Sequence, residues 1–429
     1  MEFVSTQSDP RSFADRLLCL SLDVGEGVLK SGGEVHRVED TVERICYAYG
    51  ATHVEVFAIT TLILASVRLP DGSYSSQIRR VPTSSNDFSR LEDYNRVSRE
   101  VCQRTPPLDE FDAKIKAVKS QKNHSRFLSI ACGALTSGAF AVLFGGSLRD
   151  CIAGFIIGIL LSWLSTSQFR RINALAKTVI MSLLAGILSY VSVLVGLGEN
   201  VDMIMIGTIM LLIPGLAFGN AMRDLLCGDI LAGILKTVQS CLTAILIACG
   251  FLLSILIMEP TGVPQGIPPA EHLLWVQLIA AMLGAAGFAV VFCVRKKYVP
   301  IATLGGGLTY GVYVLCDALG ASLFLAALLA AIFAALFGEL CAKLLRAPTV
   351  LFVSPFTTPI VPGGNLYYTM SALLAGNDLS LSTNLSSTLL ISAGLAAGTM
   401  LVTVAVGSVK GGRRARPTAS ASNGETRPE

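Results

Sequence analysis

Charge is scarce in this chain, and most of it sits at the two ends. Asp, Glu, Lys and Arg make up 15% of the 429 residues, against 52% hydrophobic ones, whereas a soluble domain carries roughly 25% charged residues. Mean hydropathy is +0.62, and the middle of the chain is a series of apolar runs joined by short polar loops, so an ordinary soluble fold is excluded. The net charge of +3 comes with no basic stripe interleaved with aromatics, which argues against nucleic acid as a partner. Eleven cysteines include no CxxC pair and no Cys/His ligand spacing. They are expected to be small apolar residues in lipid or in a reducing compartment, with no metal or other cofactor held. Gly228 to Thr237 contains Gly and Lys-Thr but lacks the GxxxxGK[ST] spacing, so ATP-driven pumping is excluded unless a partner supplies the motor. No nucleophile motif accompanies the four histidines, and no enzyme is expected. Met1 to Glu26 has acidic residues among its apolar ones and no continuous apolar core, so no cleaved signal peptide is expected there and the N-terminus should stay inside.

What is present divides into an α/β unit over 1–126, two membrane modules over 127–258 and 271–408, and a polar tail over 409–429. In the first part a helical run from Phe13 to Lys30 is broken by Ser31-Gly32-Gly33. A second helix then places Val35, Val38, Val42, Ile45 and Tyr49 on one face. Strand-like stretches follow at His53 to Ile59 and Leu62 to Leu69, and Asp71-Gly72 marks a hairpin turn into Gln77 to Val81. Helices are expected over Phe88 to Arg104 and Leu108 to Asn123. His36, Arg37, Glu39, Asp40 and Glu43 crowd one helix, and with a single His the cluster reads as a solvated face or a docking surface.

Ten stretches are long enough to cross about 30 Å of hydrocarbon: 127–146, 151–168, 174–196, 201–219, 229–257, 272–293, 299–317, 320–343, 349–371 and 384–407. Arg170 and Arg171, Arg223, Arg295 to Lys297, Lys343 and Arg346 fall in alternate connections, and the tail adds Lys410, Arg413, Arg414 and Arg416. The other connections hold Arg149 alone among the basic residues, with Glu199, Asp202, Glu259 and Glu271. This alternation predicts both termini on the cytoplasmic side of the plasma membrane. The Arg-, Pro- and Ser-rich tail reads as disordered.

Two segments resemble each other: IPGLAFGNAMRDLLCGDI at 213–230 and VPGGNLYYTMSALLAGND at 361–378. Aligning Pro214-Gly215 with Pro362-Gly363 also aligns Met222 with Met370, Leu225-Leu226 with Leu373-Leu374 and Gly228 with Gly376. Each segment belongs to the fourth span of a five-span block. Five is odd, so the second block enters the membrane upside down, the inverted-repeat plan of many secondary transporters. Proline removes a backbone donor and glycine permits an unwound turn, freeing polar backbone that is tolerable only in protein or around a wet cavity. Pro214, Gly215, Asn220, Asp229, Pro362, Gly363, Gly364, Asn365 and Tyr367 are therefore the expected substrate-binding residues. Asp229 and Glu339 are the candidate coupling groups. Arg223 and Asp224 read as solvated loop, Lys236 as a side chain snorkelling to the headgroups, and Glu339 and Lys343 alternatively as a helix-surface pair.

At these motifs the chain resembles the threonine/serine exporter family in its fused two-module form. GEVHRVEDTVERICYAYG (33–50), VEVFAITTLILAS (54–66) and RRVPTSSNDFSRLEDYNRVSRE (79–100) resemble the family's opening, and IPGLAFGNAMRDLLCGDILAG (213–233) and SPFTTPIVPGGNLYYTM (354–370) its two membrane modules. One departure is Ile59-Thr60-Thr61, where the family usually has a Pro-Thr pair. The resemblance implies export of threonine and serine driven by an ion gradient, with a proton as the expected coupling ion. Relatives split over two chains imply small dicarboxylates such as succinate as the alternative cargo, and a membrane-tethered sensor or hydrolase is the alternative of another class. Self-association into a homo-oligomer is compatible with this plan.

Overall fold

The computed structural model describes residues 10–82, 85–121, 125–167, 173–213, 217, 220–221, 224–225, 228–264, 267–374 and 376–412. Its first part contains α1 (Pro10–Lys30), α2 (Val35–Ala48), three strands and two further helices, α3 (Phe88–Arg104) and α4 (Leu108–Ser120). Strands β1 (His53–Ile59), β2 (Leu62–Arg68) and β3 (Tyr74–Arg80) form an antiparallel sheet in the order 1-2-3. The Asp71-Gly72 turn forms because Gly72 takes φ +83° and Asp71 accepts both the Ser73 amide and hydroxyl. The third strand starts at Tyr74, three residues before the expected Gln77, because pairing with β2 runs back to Arg68 opposite Tyr74. Buried Val35, Val38, Val42 and Ile45 pin α2 to the core along the predicted stripe. Gly27 lets α1 approach α3: a Cβ there would fall 2.3 Å from the Tyr94 ring.

Among the described residues, eight helices are long and apolar enough to cross a membrane. They are α5 (Arg126–Leu143), α6 (Leu148–Thr166), α7 (Ala174–Leu194), α9 (Ile230–Met258), α10 (Leu274–Val291), α11 (Val299–Ala318), α12 (Leu323–Leu345) and α15 (Asp378–Gly412). Among the described residues the expected fourth and ninth spans are not single continuous helices. α8 covers only Val201–Ile209. In place of 349–371 stand α13 (Val350–Thr357), a 3₁₀ turn over Thr358–Ile360, and α14 (Gly363–Leu374). Pro355, Pro359 and Pro362 remove three amide donors in eight residues, and Val361, forced extended before Pro362, takes φ −64° and ψ 130°. The helix of α15 also runs past Val409, where the tail was expected to begin, as far as Gly412. Each half thus holds three long helices, a short interrupted element, and a long closing helix.

Small residues set the helix contacts. In the first half Gly186 of α7 faces Ser254 of α9, and Gly250 of α9 faces Ser182 of α7. In the second half Gly394 and Gly398 of α15 lie against the backbone carbonyls of Phe324 and Leu328 in α12. With lipid as apolar as leucine, close van der Waals approach between small residues is what holds such helices together. The halves meet through α5 and α10, where Gly284 packs on Phe140 and Gly287 on Thr136.

The connections fall at two ends. At one, Ala270 donates to the Gly145 carbonyl, Asn200 to the Ile267 carbonyl, and His272 lies 2.8 Å from the Gly146 carbonyl. At the other, the N-terminal unit docks. The first amides of α3, on Phe88 and Ser89, donate to the Phe292 and Cys293 carbonyls that end α10. Beside them Arg295 binds Asp93 at 2.6 Å and Glu92 at 3.2 Å, and Tyr298 donates to Glu92.

Candidate functional site

A cavity of about 310 Å³ opens where the interrupted elements of the two halves come together. Met210 and Ile213, at the end of α8, form one wall; Val361 and Pro362, at the break in the second half, form another. The breaks are in direct contact, since a Cβ on Gly363 would lie 2.3 Å from the Met210 sulfur and 3.2 Å from Ile213. Gly364 packs in the same way on Phe144 and Ile206. Much of the wall is apolar, from Phe288, Phe292, Val350 and Val353.

The polar part is made of hydroxyls and one amide. Ser240 comes from α9, Ser354, Thr357 and Thr358 from α13 and its 3₁₀ turn, Thr388, Ser392 and Thr399 from α15, and Asn220 from the helical segment after the first break. Thr357, Thr358, Thr388 and Thr399 donate to carbonyls of their own helices, so their lone pairs remain for a ligand's donors. Ser240 is 4% exposed and its hydroxyl has no partner among the described residues. No charged side chain is among the described residues lining the cavity.

Of the expected binding residues, Asn220 and Pro362 line this cavity, and Gly363 and Gly364 form the packing beneath it. Pro214 and Gly215 lie outside the described residues. Asn365 is half-buried and takes no part in the cavity wall; its carbonyl accepts the Thr369 hydroxyl. Tyr367 stands elsewhere than expected. It is 2% exposed and donates to Asp202 Oδ1 at 2.6 Å, because α14 turns this ring towards the start of α8 rather than into the cavity. Asp229 occupies the N-cap position of α9 without a side-chain cap bond and is not among the lining residues; its Oδ2 is buried and without a hydrogen-bond partner among the described residues. Glu339 accepts the Thr349 hydroxyl at 2.8 Å, near the N-terminal unit. Two further expectations are corrected. Asp224 is 1% exposed instead of solvated, and Lys236 pairs with it at 2.6 Å instead of reaching the headgroups. Apolar surroundings leave each charge no better partner.

Glu39, on α2, is near enough to Asp229 for their charges to interact. Its carboxyl is held above the ordinary range by burial first, and Asp229 adds to the effect, while the Ala58 amide it accepts opposes it.

The hydroxyl set was missed from the sequence although a signal was there. Thr388, Ser392 and Thr399 recur at offsets of four and seven residues in an apolar helix, which puts them on one face. The Asp202–Tyr367 contact carried no such signal, its partners being 165 residues apart.

A multi-pass helical membrane protein with a hydroxyl-bearing cavity between its halves, uncharged among its described lining residues, has the features of a small-solute transporter. Comparison with known families agrees: the model described as "Putative threonine/serine exporter" matches residues 20–258, and that described as "Threonine/Serine exporter, ThrE" matches 277–405. The chain belongs to the threonine/serine exporter family, with both modules fused. It is 25% identical over 403 residues to the "Threonine/serine exporter" of Corynebacterium glutamicum, covering 89% of this chain and 81% of the relative. It is 22% identical over 373 residues to the "Probable threonine/serine exporter" of Mycobacterium tuberculosis (strain ATCC 25618 / H37Rv), covering 81% and 68%. No solved structure matches it.

Proposed function

We propose that this protein exports threonine, serine and similar small amino acids across the plasma membrane, by alternating access around the central cavity. The observation that carries the substrate class is the wall itself: seven hydroxyl side chains and the Asn220 amide, with no charge among the described lining residues. A zwitterion is neutral overall and needs donors for its carboxylate and acceptors for its ammonium. The unpartnered Ser240 hydroxyl and the N-terminal end of α14 beside Pro362 supply the first, and the threonine lone pairs the second. A dicarboxylate would bring two negative charges into a wall with no cation among its described residues, at a large desolvation cost. The volume lies at the lower end of the roughly 300–1,000 Å³ of small-molecule sites.

The two halves are read as inverted repeats, each contributing one interrupted helix to the midplane site, with rocking of one half against the other as the transport step. Both termini are placed in the cytoplasm. Support comes from the docking of the N-terminal unit on Arg295, in one of the basic connections. Proton coupling is assigned to Asp229, whose orphaned buried oxygen sits at the N-terminal end of α9. Glu339 is the alternative.

The test uses a native reporter, Cys241, which lines the cavity and is exposed. In proteoliposomes, counterflow of labelled threonine should be competed by serine and not by succinate. Threonine should also slow maleimide labelling of Cys241, with Cys241→Ser as the control. Counterflow of succinate in preference to threonine would overturn the substrate assignment. Asp229→Asn should retain counterflow and lose gradient-driven efflux; efflux at the parental rate would remove Asp229 from the coupling role.

A further inference from the structure

A second cavity, about 560 Å³, lies between the N-terminal unit and the turn joining α12 to α13. Its cations come from both walls: Arg37 and Arg44 on α2, Arg99 on α3, and Lys343 in the last turn of α12. Two carboxylates face them. Asp40 is already held by Arg44 at 2.6 Å, and Glu339 accepts the Thr349 hydroxyl. Arg37 reaches Glu34 only at 3.7 Å. Among the described residues, Arg99 and Lys343 have neither an ion-pair nor a hydrogen-bond partner. Four positive groups against two negative ones line a gap between two separately built parts, and the unpaired Arg99 and Lys343 leave an excess of positive charge that favours an anion. Interfaces of this kind are a usual place for small-molecule sites.

The geometry points to a binding site for a compact phosphate-bearing anion that ties the N-terminal unit to the second membrane half. Guanidinium forks match the paired oxygens of phosphate, and the Lys343 ammonium adds a point charge. No aromatic residue is among the described residues lining the cavity, so a nucleobase finds no stacking surface there, and the occupant is a small phosphate group rather than a nucleotide. Lys343 ends a membrane-crossing helix, so the phosphate has two sources: a lipid headgroup at the bilayer surface or a free phosphate in solution.

The full chain in phosphatidylcholine nanodiscs is titrated with sodium phosphate, against sodium chloride at equal ionic strength, by calorimetry. Amide exchange of α2 and α3 is followed in parallel, in phosphatidylcholine and phosphatidylglycerol discs. A free phosphate site gives saturable heat with phosphate alone and slows exchange. A headgroup site gives slowed exchange in phosphatidylglycerol discs without added phosphate. In either case the exposed pair Arg99→Gln and Lys343→Gln together weaken the effect at least tenfold, and an equal charge change at exposed Arg104→Gln and Lys116→Gln does not. No saturable response in either disc, or an equal loss in the control pair, overturns the site.

Discussion

Replacing Tyr367 by phenylalanine tests the joint between the two halves most directly. The phenol donates to Asp202 Oδ1 at 2.6 Å, with Tyr367 and Asp202 only 2% and 3% exposed. A hydrogen bond to a charged acceptor contributes about 1.5–3 kcal/mol, and leaving the acceptor buried and short of a donor costs in that range. Asp202 also lies in the first turn of α8, where the helix end favours a negative charge and softens the loss. The middle of the range, about 2 kcal/mol, is the expected value, and at 1.36 kcal/mol per tenfold it corresponds to about a 30-fold change in an equilibrium. If the contact exists in only one of the alternating conformations, Tyr367→Phe moves the population away from that one by this factor. Two assays read it: a double-mutant cycle with Asp202→Asn in thermal unfolding of the purified protein, and the rate of maleimide labelling of Cys241. The cycle should give a coupling near 2 kcal/mol, and the labelling rate should change severalfold or more. A coupling below about 0.5 kcal/mol, with unchanged labelling, would mean that the bond joins nothing that moves.

Arg295→Met should release α3 from the membrane module. Asp93 is fully buried, and removing one partner of a buried pair costs about 3–5 kcal/mol, with the lower end expected because Arg96 also holds Asp93 at 2.6 Å; hydrogen exchange of the α3 amides should accelerate at least tenfold. Glu39 gives a pH dependence. Its folded pKa is raised, chiefly by burial, so its contribution to stability is full below the ordinary glutamate range and is lost as pH rises through the raised value. The thermal unfolding midpoint of the purified protein should therefore fall across that window, with His36, Glu43 and Asp229 the charges facing it, and Glu39→Gln should flatten the profile. Gly398→Ala would set a Cβ 2.5 Å from the Leu328 carbonyl, a backbone atom that cannot step aside. A loss of about 1–3 kcal/mol in unfolding experiments is expected, and an unchanged midpoint would show that α12 and α15 are not packed this closely.

Much of the architecture was legible because it rests on local rules. The stripe from Val35 to Ile45, the Asp71-Gly72 turn and the helix starts at Phe88 and Leu108 all follow from periodicity and turn chemistry, and each stands where expected. Eight spans were readable from hydropathy alone, since the bilayer demands about twenty apolar residues in a row. The other two expected spans are broken elements among the described residues. Hydropathy does not register that three prolines within Pro355–Pro362 interrupt the helical ladder, although Pro362-Gly363 itself marked that break.

Chain order and local chemistry by themselves determined the N-terminal unit, the long spans, the break at Pro362 and the asymmetry of charge, because each depends on neighbours a few residues apart. Which groups face one another was decided only by the tertiary structure. Ser240, Thr357 and Thr388 lie on three elements and become one wall; Tyr367 leaves the cavity for Asp202, and Lys236 turns to Asp224. In a low-dielectric interior a buried polar group must find a partner, and that partner is set by how helices distant in sequence pack, which no local pattern encodes.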